Sequence, residues 1–159
     1  MSKQNELTKM QVTFLVILRI LIGWHFLFEG LTKLFNPGWT SMGYLMDSGG
    51  FMASVFQWMA TNDTILQAVD FMNAWGLTLV GAGLILGIFT RLAAIGGIIL
   101  LLLYYLSHPP LIGVEYILPS DGSYWLVNKT LIELFMLAVL IVFRTGQYYG
   151  IDKLIFKKS

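Results

Sequence analysis

The sequence predicts an all-α membrane protein: an antiparallel bundle of four transmembrane helices, both termini cytoplasmic, with an extra amphipathic or re-entrant helix in the first outer loop. Three observations predict it. Of 159 residues, 57% are hydrophobic and 12% charged, against about 45–50% and about 25% in a soluble domain. A single domain over residues 1–159 could not hide so much apolar surface from water. Apolar runs near the roughly 20 residues that cross about 30 Å of hydrocarbon recur along the chain, and cations and acids sort to opposite ends of them. A soluble enzyme, a disordered chain and a nucleic-acid binder are excluded, since ten Lys+Arg against nine Asp+Glu make no basic field.

The first run, 12–35, follows Lys3 and Lys9 as a signal peptide would. It is too long for one and no small-residue cleavage site follows, so it reads as a retained span. The outer segment 40–60 has apolar residues at helical spacing around the Gly49-Gly50 break, which suits an interfacial or re-entrant helix. The second run, 65–89, reaches a turn so short, at Thr90 and Arg91, that the third, 92–106, must be its antiparallel neighbour. A loop with Pro109-Pro110 and Asp121-Gly122 as turn punctuation leads to the fourth run, 126–143. Placing both termini inside puts Lys3, Lys9, Arg91, Arg144, Lys153, Lys157 and Lys158 on the cytoplasmic side, as the positive-inside bias requires. Glu29, Asp47, Asp63, Asp70, Glu115, Asp121 and Glu133 then fall in the outer half.

Charge within a span costs about 2.5–3.5 kcal/mol near its centre, so such groups face protein and find partners. Arg19, His25, Glu29 and Lys33 lie within an arc of about 120° on the first helix, with Gly23 and Gly30 beside them for close helix approach. At about 1.5 Å per residue His25 sits about 20 Å along, past the midplane. Asp70 and Asn73 reach that leaflet from the second span, and Tyr104, Tyr105 and His108 from the third. Tyr124, Trp125, Asn128, Lys129 and Glu133 reach it from the fourth. All four helices thus bring polar groups to the outer half of the bundle. Two readings stay open: Glu29 with Lys33 and Lys129 with Glu133 are ion pairs that fix helix register, or the cluster is a functional site.

Arg19 has no acid at its own depth; backbone carbonyls, Glu29, a ligand and another subunit are its candidate partners. Most Trp and Tyr residues, among them Trp39, Trp58 and Tyr116, suit an aromatic belt at the interfaces. Trp24 and Trp75 fall within spans, where a ring beside Asn73 could flank a quinone-like head group or pack on another helix. With no cysteine, disulfide relays, iron–sulfur clusters and thiolate metal sites are excluded. Nothing sets His25 and His108 on opposite faces of a haem, and neither haem nor another metal is expected.

The order Arg19-x3-Gly23-x6-Gly30-x2-Lys33, Gly83-Leu-Ile-Leu-Gly87-Ile-Phe-Thr90-Arg91-Leu-Ala-Ala, Asn128-Lys129 and Gly150-Ile-Asp152 resembles the DoxX-like family of small four-helix membrane proteins. Within it the chain looks like the branch holding the DoxD subunit of thiosulfate:quinone oxidoreductase. The resemblance covers nearly the whole chain and implies a four-helix bundle in a prokaryotic cytoplasmic membrane. For some members it implies electron transfer from a sulfur compound to quinone with a partner subunit. Many relatives carry an acid where this chain has Asn73 and Trp75-Gly76, so acid–base chemistry does not carry over to that point.

The first functional expectation is therefore a quinone-linked oxidoreductase subunit taking menaquinone or ubiquinone. His25, Glu29 and Glu133 would move protons, and Arg19, Lys33, Asn73, Trp75, Asn128 and Lys129 would line the ligand. The partners expected are the lipid bilayer, a second membrane or periplasmic subunit, and a second copy of the chain. The alternative is a non-catalytic assembly, anchoring or chaperone module in which the polar stripe is structural. Transport ranks below both, because four spans enclose a pathway poorly and no inverted repeat is visible.

Overall fold

The computed structural model describes residues 7–111, 113, 116–118 and 125–155. Lys3, Glu115, Asp121, Gly122, Tyr124, Lys157 and Lys158 lie outside them. The described residues are all helix and connection: α1 (Lys9–Leu34), α2 (Met42–Met46), α3 (Ala53–Thr61), α4 (Asp63–Leu86), α5 (Thr90–Ser107), α6 (Lys129–Val142) and α7 (Asp152–Ile155), with a 3-10 turn at Thr145–Gln147 before the last. Among them α1, α4 and α5 are long and apolar enough to cross a membrane. The α6 helix has 14 residues and so is about 21 Å long.

Local chemistry fixes the ends. Thr8 and Gln11 close a capping box on α1, the Asn62 side chain accepts from the Ile65 N–H to start α4, and Asn128 does the same from Leu131 for α6. The α4 helix stops at Gly87, whose φ of 64° is left-handed, a conformation glycine adopts without a Cβ penalty. That turn sends α5 back along α4.

The long helices are antiparallel neighbours in the order α1, α4, α5, α6, and α6 closes toward α1. Close approach of α1 to α4 depends on glycine: a Cβ on Gly81 would strike the Leu27 backbone, and one on Gly30 the Thr78 backbone. Ile22, Phe26, Leu77, Val80, Leu84, Ala94, Leu101, Leu137 and Leu140 form the core between the helices. Outward, Phe14, Leu21, Trp24, Phe71, Leu79, Leu92 and Ile99 stay exposed, the surface expected of helices solvated by lipid.

We call the end holding the last turns of α1 and α5 and the first turns of α4 and α6 distal, and the other proximal. The segment expected as one amphipathic helix over 40–60 is two short helices. Gly50, at φ 73°, lies in the break between them. Leu45, Phe56 and Ala60 pack as a second small core against Leu66, Val69 and Leu106 at the distal end.

Candidate functional site

A cavity of about 530 Å³ opens at the distal end, within the roughly 300–1,000 Å³ range of small-molecule sites. Phe26, Leu77 and Leu101 make an apolar floor continuous with the core. All four long helices supply polar walls: His25, Glu29 and Lys33 from α1, Asn73 from α4, Tyr104 from α5, and Lys129, Thr130 and Glu133 from α6. Trp39, Thr40 and Ser41 from the connection after α1, and Gly43 and Tyr44 from α2, close over them.

Within this wall α1 and α6 share a chain of ionisable groups. Lys129 Nζ lies 3.3 Å from His25 Nε2. Ammonium has only donors, so in this contact Nε2 accepts and the imidazole proton sits on Nδ1. Nδ1 faces Glu133 Oε1 at 3.0 Å; it is buried and makes no hydrogen bond, so the approach is off-axis and the attraction electrostatic. One turn along α1, Lys33 Nζ donates to Glu29 Oε2 at 2.8 Å and stands 5.4 Å from the centre of the Trp39 ring, a cation–π distance. On the facing wall the Tyr104 hydroxyl donates to Asn73 Oδ1 at 2.8 Å, leaving the amide N–H groups as the donating half of Asn73. Asp70 accepts from both the backbone N–H and the hydroxyl of Ser41, which ties the Trp39–Ser41 segment to α4.

The rim is a clasp between loops. The His108 ring lies between Tyr44, with centroids 4.0 Å apart, and Tyr116, at 4.6 Å. Its Nε2 is 3.6 Å from Asp47 Oδ2, too long for a hydrogen bond. The Asp47 carboxylate accepts from the N–H groups of Ile117 and Leu118, each at 2.9 Å, and Leu118 lines the cavity mouth. Burial pushes the His108 pKa down, with Asp47 offsetting it in part. Burial opposes ionisation of Asp47, but the Leu118 and Ile117 N–H bonds and His108 outweigh it and hold its pKa below the usual value.

Six of the nine residues expected at the site therefore meet in this cavity: His25, Glu29, Lys33, Asn73, Lys129 and Glu133. Three do not line it. Arg19 is buried at the proximal end, where Nη2 donates to the Tyr149 carbonyl at 2.6 Å and Nη1 reaches Thr145 Oγ1 at 3.5 Å. Its partners come from the tail after α6, and of its candidate partners backbone carbonyl is the one realised. Trp75 is exposed on the outer surface of α4 with its ring near Phe71. Asn128 spends its side-chain oxygen on the α6 cap. The expected Lys129–Glu133 pair is also replaced, because both side chains turn to His25. Trp39 was assigned to the aromatic belt and Tyr104 only to the polar convergence, and both line the site; the six-residue step from Lys33 past the end of α1 was the one signal for Trp39.

No group of three or more metal-ligating side chains converges among the described residues. A protein-family model described as DoxX matches residues 14–109, from α1 to just past α5. No curated protein and no solved structure matches the chain.

Proposed function

The chain belongs to the DoxX family, and from that premise we propose that it is the membrane subunit of a quinone-linked oxidoreductase of the thiosulfate:quinone type, in the branch that holds DoxD. The distal cavity takes menaquinone, ubiquinone or a similar small apolar carbonyl ligand. The observation that carries this reading is an apolar floor beneath converging donors, two ammonium groups and an amide held by a tyrosine, with an imidazole that accepts from one of the ammonium groups.

These residues fit a quinone head group. Its carbonyl oxygens need donors at both ends and its ring needs flat apolar walls, which Phe26, Trp39 and Tyr44 offer. When bound, the quinone supplies two-electron, two-proton acceptor chemistry. The protein's part is electrostatic and protonic. Lys33 and Lys129 stabilise negative charge on a ligand oxygen. His25, between Lys129 and Glu133, is placed to pass a proton between the cavity and the Glu133 carboxylate. Tyr104 fixes the orientation of Asn73.

The same reading makes α6 the fourth span, extended by the apolar residues 126–127 and 143 on its flanks. It sets the proximal end, with Lys9, Arg91, Arg144 and Lys153, in the cytoplasm of a prokaryotic cell with both termini there. Because the chain has no cysteine, single cysteines at Lys153 and Asn62 would report sidedness cleanly.

Tryptophan fluorescence tests the ligand, since Trp39 lines the cavity. Wild-type protein should show saturable quenching by a short-chain quinone, and Lys129→Gln and His25→Ala should each weaken it about tenfold, roughly one lost hydrogen bond to a charged or polar donor. Equal affinity in all three proteins removes the proposal. A second reading, an assembly or anchoring module, draws on Met42, Met46, Phe51 and Trp58, which α2, α3 and the turn between them leave exposed at the distal end. It predicts instead that Phe51→Ser and Trp58→Ser abolish recovery of a partner subunit while quinone quenching stays absent.

A further inference from the structure

The proximal end has a cavity of its own, independent of the reading above. It measures about 290 Å³ and lies where α5 begins and α6 ends. Arg91, from the first turn of α5, and Arg144, just past α6, both line it together with Gln147 and Asp152. Both arginines are exposed, and neither guanidinium makes a hydrogen bond or ion pair among the described residues. Among the described residues Asp152 is the acid in the lining, and its oxygens are already committed. Oδ1 accepts from the Phe89 N–H at 2.7 Å, and Oδ2 from the Thr90 N–H at 3.0 Å and the Thr90 hydroxyl at 2.7 Å. The arginines are therefore left with unmet donors around a concave space.

What flanks that space selects the ligand. Phe89 and Leu92, which line it, are 54% and 68% exposed at the start of α5, and Val142, 72% exposed, ends α6 two residues before Arg144. A free anion would gain from the guanidinium forks alone. A phospholipid gains from both, because its phosphate meets arginine donors in bidentate geometry while its acyl chains lie on the apolar flank. We propose that this cavity seats the phosphate of an anionic phospholipid, gripped by Arg91 and Arg144, with the exposed Leu92 and Phe89 along the chains. Basic pockets between membrane helices recognise such head groups by the same chemistry.

Native mass spectrometry of the full chain released from detergent micelles tests it, with phosphatidylglycerol, phosphatidylcholine and inorganic phosphate as separate titrants. Wild-type protein should retain phosphatidylglycerol roughly tenfold or more over phosphatidylcholine. The double variant Arg91→Gln with Arg144→Gln should lose that preference. Lys9→Gln with Lys153→Gln removes two charges from the same end and should keep it, which separates a site from a general field. If the double arginine variant fails to fold, Arg144→Gln alone, beyond the end of α6, should lower the preference several-fold. Equal retention of the two lipids by wild-type protein overturns the proposal, as does equal loss in the lysine control. Displacement of phosphatidylglycerol by millimolar inorganic phosphate overturns it too, because the cavity would then be a site for the free anion.

Discussion

Replacing Arg19 by alanine should cost about 3–5 kcal/mol of folding stability, the usual cost of removing one partner from a buried charged network, and leave the distal cavity working. The figure follows from the contacts. Arg19 is 2% exposed, and its Nη2 bond to the Tyr149 carbonyl is 2.6 Å long. A hydrogen bond from a charged donor contributes about 1.5–3 kcal/mol net, and the cavity left by the buried guanidinium and its stem adds to the loss. The weaker reach to Thr145 and the attraction to Asp152 add to this, and relief of the guanidinium's desolvation subtracts from it. Arg19→Lys keeps the charge but loses the two-pronged guanidinium, so it should recover about half of the loss.

The assay is equilibrium unfolding in mixed micelles, followed by tryptophan fluorescence, on Arg19→Ala, Asp152→Asn and the double variant. Coupling between the two positions should be about 1 kcal/mol or more, since they share the turn that Tyr149, Thr145 and Thr90 build. A loss below about 1 kcal/mol for Arg19→Ala, or quinone quenching that falls in step with stability at saturating folded fraction, refutes the reasoning and returns Arg19 to the ligand site.

The remaining predictions use other contacts. Gly81→Leu should separate α1 from α4 and prevent folding, while Gly43→Ala, where a Cβ meets nothing within 4 Å, should change stability by less than about 0.5 kcal/mol; melting in detergent compares them. Tyr104→Phe should cost about 1 kcal/mol, one neutral hydrogen bond, and weaken quinone quenching by freeing Asn73 to rotate. The rim clasp should loosen in acid. The pKa of His108 is depressed by burial, so the closed clasp binds fewer protons than the open one, and its stability is lost as pH falls below about 6.5. Asp47, also depressed, has the same sign in a lower window, below about 3.9. Amide exchange at Ile117 and Leu118, corrected for intrinsic rate, should be slower at pH 7.5 than at pH 5.5. His108→Ala should flatten that difference, and faster corrected exchange at the higher pH would contradict the assignment.

Much of this was legible in the chain because a 3.6-residue period fixes which side chains share a face. Hydropathy placed α1, α4 and α5 to within a few residues, and depth along each helix brought His25, Lys33, Asn73, Lys129 and Glu133 to one level. The same geometry shows why Trp75 does not join them. Two residues beyond Asn73 is about 200° around the helix, so a ligand-facing Asn73 turns Trp75 outward. Other features had no periodic signal. The partners of Arg19 come from Thr145 and Tyr149, in a tail of turns whose path no helical pattern encodes. The switch of Lys129 from Glu133 to His25 depends on the rotation of α6 against α1, which spacing within either helix leaves undetermined. Trp39 enters the cavity because Asp70 ties down Ser41 two residues later, a contact across distant sequence.

The two polar clusters are built from similar groups and end differently, and the difference bears on what each does. At the proximal end Asp152 has each oxygen bonded and both Arg19 Nη atoms close on the tail, with Nε alone lacking a hydrogen bond among the described residues, so that network mostly holds α1, α5 and the C-terminal turns together. At the distal end a buried imidazole nitrogen also lacks a hydrogen bond, but there the groups around it border open volume. Its charges are nearly balanced: Lys33 and Lys129 stand against Glu29 and Glu133, with His25 between the helices. Balance of that kind disfavours a multiply charged anion, which would bring uncompensated charge against the apolar floor of Phe26, Leu77 and Leu101. It suits a neutral molecule whose oxygens gain negative charge only as it reacts, because the ammonium groups then strengthen their hold at that moment. On the proposed reading any charged sulfur donor is therefore oxidised elsewhere, on a partner subunit, and this chain receives its electrons at the distal cavity.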